Sequence, residues 1–317
     1  MKTLKNNQQF IEVVGFGDAT LDFLCTIDSL SNYNQPTLIK NFKKSGGGSI
    51  ATALIALQRL GGSSAFIGSL GNDWIGKEII RGLKNENIEC TGVQFHKHAS
   101  STFSFIQIDE RSGKRAIAYY PGSRILIKFD PKAKEMIKKS RILLIDGYTP
   151  DEDIKAAEFA NSCGVKIMFD ANILYEKTDK ILQFTDYLIT SESFLYNYSK
   201  NKDLDTSLKM LYEHYKPEIL VTTLGKKGSV AFLNNKILKV DSFKVEVKNT
   251  TGAGDVYHGS FIFGILKKWG VWETMVFSSA VAALKCTGHG GIKSIPDFIT
   301  TINFLKKHKI NINNYKI

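Results

Sequence analysis

Short apolar runs suited to buried strands alternate with longer stretches of helical period along most of this chain. That alternation limits the fold more than any other feature. Residues 11–16 (IEVVGF) read as a first buried strand. Residues 49–60 (SIATALIALQRL) carry the apolar spacing of an amphipathic helix closed by Gly61-Gly62, with Ser49 available as N-cap. A strand and turn over 65–71 and a helix over 73–85 follow. Further strands are expected at 141–147 (RILLIDG), 165–171 (VKIMFDA), 186–190 (DYLIT) and 218–225 (EILVTTLG). Helices are expected over 151–162, from Ser191, and over 203–215, 254–268, 272–287 and 297–308. Strands that alternate with helices pair in parallel and are covered on both faces. The predicted fold class is therefore α/β, with a largely parallel sheet.

Two excursions break the alternation. Residues 102–109 (TFSFIQID) and 115–120 (RAIAYY) read as a hairpin joined by ERSGK. The stretch from about 26 to 42 has only a weak helical period, and 17–23 (GDATLDF) reads as a turn. We group the excursions as one small β appendage, from about 26–44 and 97–124, on a single domain of 317 residues. SVAFLN and KILKVDS form another hairpin around Asn234-Asn235.

The net charge of +11 comes from lysines spread along the chain. They form no long basic block and accompany no nucleic-acid motif, so they read as a solvated surface that attracts anions at long range. The four cysteines are far apart, with no C-x-x-C pair and no zinc-ligand spacing. They fit reduced thiols, and hence the cytoplasm. No apolar run approaches the roughly 18 residues of a membrane span. Neither a membrane nor a nucleic acid is expected as a partner.

Two glycine clusters sit at strand-to-helix junctions, where ligands of parallel sheets collect. The first, 45–52 (SGGGSIAT), is neither G-x-G-x-x-G nor a Walker-type loop, which argues against a nicotinamide dehydrogenase. The second, 249–261 (NTTGAGDVYHGSF), places Gly252, Ala253 and Gly254 before a helix. The first N–H groups of a helix have no internal acceptor, and small side chains leave them open to an anion. Asp255 beside them would repel an anion, unless its task is to take a proton from a hydroxyl attacking a phosphoryl group held there.

These two stretches, in this order, resemble the paired signatures of the phosphofructokinase-B (PfkB), or ribokinase-like, carbohydrate kinases. The likeness spans nearly the whole chain, and SGKRAIAYYPGSR and ALKC are most similar to the ketohexokinase-like and sulfofructose-kinase-like branches. It implies a Rossmann-like sheet with helices on both faces and a small β-sheet lid. It also implies phosphorylation of a sugar by ATP with Mg2+, and favours a ketose or ketose derivative. By that likeness Asp255 is the catalytic base, with Gly252, Ala253 and Gly254 as the anion hole. Asp22 anchors substrate hydroxyls, Gly47 and Gly48 lie against the sugar, and Thr52 stands where the family usually has asparagine. Arg115 matches a lid arginine near substrate or phosphate, and Arg124 is a weaker candidate.

TLGKKGS (223–229) resembles the nucleotide loop, which names Thr223, Gly225 and Gly228. Residues 282–296, with Cys286, resemble the segment beside adenine and the loop for a monovalent cation. The family's N-x-x-E magnesium motif appears as Ser191-Glu192-Ser193-Phe194, leaving Glu192 to support magnesium through water. Asn249 replaces the usual aspartate and so weakens charge support for K+. His258 reads as packed along its helix rather than catalytic. The alternatives are a nucleoside kinase, with Phe103, Phe105 and Tyr120 forming a slot for the base, and a non-catalytic sugar or nucleotide sensor. The exposed edges of the lid sheet suggest a homodimer through the lid.

Overall fold

A computed structural model describes residues 10–30, 34–112, 114–123, 125–233, 235–289, 291–311 and 313–315. The chain opens with β1 (Val13–Phe16), passes out through β2 (Thr20–Ile27) and β3 (Asn41–Gly47), and returns by α1 (Ser49–Leu60) to β4 (Ser64–Ile67). β5 (Ser69–Gly71), α2 (Trp74–Asn85) and β6 (Gln94–His96) lead to β7 (Phe103–Asp109) and β8 (Arg115–Tyr120). Then follow α3 (Pro131–Lys138), β9 (Ile142–Ile145), α4 (Pro150–Ser162), β10 (Lys166–Ala171), α5 (Thr178–Leu182) and β11 (Tyr187–Ser191). After α6 (Glu192–Ser199) and α7 (Leu204–Tyr215) come β12 (Ile219–Thr223), β13 (Ser229–Leu233) and β14 (Lys236–Val240). The chain closes with α8 (Ala253–Leu266), α9 (Val271–Cys286) and α10 (Phe298–Lys307).

The main sheet runs β14-β13-β12-β11-β10-β9-β1-β4. It is parallel from β4 to β12, and β13 and β14 add an antiparallel edge. Its strands are apolar on both faces because both faces are covered. Ile142 and Leu144 of β9 join one core with α1, α8 and α9, while Leu143 and Ile145 join the other with α3 to α7. The likeness to a doubly wound sheet is therefore real at the level of side-chain alternation. Among the described residues no helix is long and apolar enough to cross a membrane.

A second sheet runs β3-β2-β7-β8. It begins at Thr20, earlier than the expected 26, and residues 17–23 are largely strand rather than turn. Among the described residues between Ile27 and Asn41 there is no helix, so the weak period there carried no helical structure. β2 is buried along nearly its whole length, which hides any alternation. The expected cap of α1 is also corrected. Gly48, at φ 90°, is the N-cap residue, and Ser49 Oγ instead donates to Asp146 Oδ2 at 2.5 Å. At the other end Gly61 closes the helix as expected.

One contact sets the position of everything functional. A Cβ on Gly259 of α8 would lie 2.0 Å from the carbonyl oxygen of Ala53 in α1. Glycine lets the two helices touch backbone to backbone, and so brings their N-terminal loops, the two glycine clusters, side by side.

Candidate active site

The head of α8 is built to receive negative charge. Gly252, at φ 77°, precedes the helix as its N-cap residue. Ala253 N–H donates to Thr250 O, but the N–H groups of Gly252, Gly254 and Asp255 find no acceptor among the described residues. Thr52 of α1 is buried beneath them. Its Cγ2 would lie 3.3 Å from a Cβ on Gly252, so it supports the loop as well as lining the cavity.

Two cavities meet at this helix head. The first, of roughly 570 Å³, is lined by Asp22, Gly47, Gly48, Thr52, Gly252 and Asp255, among others. The second, of roughly 540 Å³, is lined by Thr223, Gly225, Gly228, Tyr257 and Cys286, among others. Arg115, Thr250, Ala253 and Gly254 line both. Asp255 faces only the first. The two sets of residues singled out in the sequence thus fall on opposite sides of one helix terminus with open N–H groups.

The first cavity is rich in carboxyls. Asp22 Oδ1 accepts from Thr20 Oγ1 at 3.0 Å, and Ser104 also bonds this carboxylate. Gly47 makes room for it, because a Cβ there would fall 2.3 Å from Asp22 Oδ2. Burial pushes the Asp22 carboxyl up to about 6. Burial and the neighbouring Asp146 push Asp18 up to about 8. Burial, followed by the charge of Asp170, raises Asp255 to about 7, against the opposing pull of His258, Lys285 and Arg115. A carboxyl poised near neutrality suits proton acceptance from an alcohol.

The second sheet roofs the first cavity with one face, contributing Thr20, Asp22 and Leu24 from β2 and Arg115, Ile117 and Tyr119 from β8. Bonds from β8 help fasten this roof to the core. Arg115 Nη1 donates to Thr250 Oγ1 at 3.0 Å, and the hydroxyls of Tyr119 and Tyr148 are 2.9 Å apart. Phe103, Phe105 and Tyr120 lie on strand positions that line neither cavity; Phe23 stacks on Phe105 with ring centroids 4.9 Å apart. They form no slot for a nucleobase.

Other sequence expectations divide. His258 is buried and packed. Its Nδ1 lies 2.8 Å from Gly254 O and its Nε2 3.3 Å from both Ile189 O and Asp170 Oδ1. Glu192 lines neither cavity; it accepts from Lys227 Nζ at 3.1 Å, so the expected magnesium role is not supported by its position. Arg124 lies outside the described residues. Lys285 was not singled out, and it lines the first cavity with 1 % exposure. Among so many lysines, one at the buried end of a helix leaves no distinguishing mark in a sequence.

The chain matches the pfkB family carbohydrate kinases over residues 11–297. It belongs to that family. A fructokinase of Solanum tuberosum is 27% identical, over 93% of this chain and 95% of its own. Ribokinase from Giardia lamblia superposes with a TM-score of 0.84 at 21% identity, covering 94% of this chain and 99% of that one. Arabidopsis thaliana ribokinase, complexed with ribose and ATP, gives 0.80 at 22% identity, covering 93% and 99%. The carbohydrate kinase therefore shares the ribokinase fold, with a mostly parallel sheet between two helical layers.

Proposed function

We propose that this carbohydrate kinase moves the γ-phosphoryl group of ATP onto a hydroxyl of a neutral ketose, of the fructose class. The observation that carries the reading is the meeting of two cavities at the open N–H groups of α8, with Asp255 on one side only. The sugar would occupy the first cavity and the nucleotide the second. Asp22, with its acceptor oxygens, would take two sugar hydroxyls, and the carboxyls around it disfavour a substrate already phosphorylated at that end. The resemblance to a fructokinase supports a ketose.

In the reaction, Asp255 takes the proton as the sugar oxygen bonds to the γ-phosphorus. The bond from that phosphorus to the bridging oxygen breaks, and ADP leaves with the electron pair. The N–H groups of Gly252, Gly254 and Asp255, with Arg115, meet the charge of the transferring group. The second sheet would act as a lid that keeps water from competing for the phosphoryl group.

Magnesium fits as a companion of the nucleotide rather than as a resident ion. Among the described residues no group of three or more histidine, cysteine or acidic side chains could hold a metal. Asp170 does offer a buried Oδ2 without a hydrogen-bond partner at the wall of the first cavity. The ion would neutralise phosphate charge, keeping most of its water.

The deciding experiment is a panel of ketoses, aldoses and nucleosides assayed for ADP release with magnesium ATP. Turnover confined to nucleosides would reject the reading.

Two further assignments complete it. Free thiols at Cys25, Cys90, Cys163 and Cys286 suit the cytoplasm. The outer face of the lid exposes Phe42, Phe105 and Tyr120, with Trp74 of α2 beside them, an aromatic surface that a second copy of the chain would cover. Sedimentation of Phe105→Glu beside the wild type tests this: a wild-type dimer and a monomeric variant are expected, and a monomeric wild type rejects it.

A further inference from the structure

Lys285 stands in the last turn of α9 with its ammonium buried under the loop that leads into α8. Its Nζ donates to the carbonyl oxygen of Asn249 at 3.2 Å and to that of Thr251. Both acceptors are neutral. Among the described residues, Asp255 and Asp22 act on this charge only through space, not by hydrogen bonds. A buried ammonium without a carboxylate partner is costly to keep. Its setting shows what such a charge can serve, because it lies just behind three N–H groups that lack acceptors.

The geometry of the peptide unit connects the two. A trans peptide sets its C=O and N–H on opposite sides. Turning the carbonyls of Asn249 and Thr251 to the ammonium therefore turns the N–H groups of Thr250 and Gly252 the other way. Gly252 N–H is one of the open donors at the helix head.

Asn249 fits the same arrangement. Its Oδ1 accepts from Thr251 N–H at 2.8 Å, and its own N–H donates to Cys286 O at 3.2 Å. An aspartate here would place a negative charge beside Lys285 and cancel it. The amide leaves the ammonium charge in force.

The residues do not fit a potassium ion at this loop. A monovalent metal ion binds through oxygen atoms, and the carbonyls of Asn249 and Thr251 already accept from Lys285. The expectation of a potassium site at Asn249 gives way to this arrangement.

We propose that Lys285 is the resident cation of this loop: its ammonium stands in for a monovalent metal ion, holds the carbonyls of Asn249 and Thr251, and keeps the N–H groups at the head of α8 aimed at the phosphoryl group. Lys285 is then a positioning residue, and the enzyme works without potassium. The inference rests on the kinase reading for its rate measurements but not for its binding measurement.

The test uses the full chain in tetramethylammonium buffer free of alkali cations. Potassium chloride changes the wild-type rate by less than about twofold and leaves the melting temperature of the MgADP complex unmoved. Lys285→Met lowers kcat by about 10²-fold while the KM for sugar changes little, as expected when charge stabilisation of the transition state is lost. Added potassium or ammonium then restores part of the rate and raises the melting temperature of the variant's MgADP complex. Activation of the wild type by potassium by more than about threefold overturns the proposal, as does a cation-free Lys285→Met that keeps the wild-type kcat. The wild-type titration decides even where the variant does not fold. If no sugar turns over, the kinase reading fails, and the role of Lys285 is still read from the melting temperatures.

Discussion

The guanidinium of Arg115 donates to the hydroxyl of Thr250 at 3.0 Å, joining the edge strand of the small sheet to the loop before α8. Arg115 borders both cavities, so the same side chain closes the roof and brings positive charge to the boundary between the two. These two roles separate by mutation. Arg115→Ala removes both and lowers kcat/KM by about 10²-fold, whereas Thr250→Ala removes only the tie and costs about threefold. Steady-state kinetics of the single and double variants check this. A Thr250→Ala loss as large as that of Arg115→Ala would put the closure, not the charge, in control.

Asp255→Asn removes the proton acceptor and lowers turnover by about 10²–10⁴-fold, with MgADP affinity unchanged. The same change relieves a carboxyl that burial and Asp170 disfavour in its charged form. Above neutral pH the variant should therefore melt about 2–5 °C higher than the wild type, a trade of activity for stability. Scanning calorimetry with a coupled ADP assay measures both.

The pH dependence follows from the same group. Asp255 is raised to about 7 and must be ionised to act, so log kcat/KM should climb by about one per pH unit below that value and level above it. Asp170→Asn, by removing the like charge, shifts this limb to lower pH. Stability moves the other way. Asp18, Asp22 and Asp255 hold protons in the folded chain up to about 8, 6 and 7, against 3.8 as the ordinary value. The folded state binds more protons than the unfolded one in that window, so stability falls as pH rises from about 4 to 8. A melting temperature that rose across that window would contradict the placement of these carboxyls.

Gly47→Ala tests the fit of the sugar anchor. The backbone at Gly47 is not in the left-handed region, so only space is at stake. The added methyl would meet Asp22 Oδ2 at 2.3 Å and displace the carboxylate. The expected result is a KM for sugar raised by about tenfold, with kcat and melting temperature changed much less.

Much of this was readable from residue order, for reasons that individual elements make plain. The interval 49–60 was recovered as α1 because its apolar spacing ends at Gly61, which takes the left-handed conformation the helix end needs. The two glycine clusters were readable because small residues at a helix head have few other uses. β2 was missed because burial on both faces erased its alternation, and turn-forming residues precede it. β3 was missed because NFKKSGG is polar and mostly exposed, as befits an edge strand guarded by Lys43 and Lys44. α3 and α5 are short, with little room for a helical period. The opposite faces of the small sheet were also confused. Phe103, Phe105 and Tyr120 looked like cavity walls, but period two sends them outward while Ser104, Ile106 and Tyr119 point in.

A single residue, Gly48, separates the end of β3 from the start of α1, and its left-handed backbone packs so tightly that a Cβ would fall 2.6 Å from Ala19 Cα. The roof thus has no slack tether on this side. Were it to swing away to free a product, as the proposed reaction cycle requires, the motion would pivot at that joint and carry the neighbouring strand along, with Asp22 on it. Unlatching Arg115 and letting go of the sugar would then be one mechanical stroke, and the ease of that stroke, rather than affinity for the sugar alone, would set how quickly the next turnover begins.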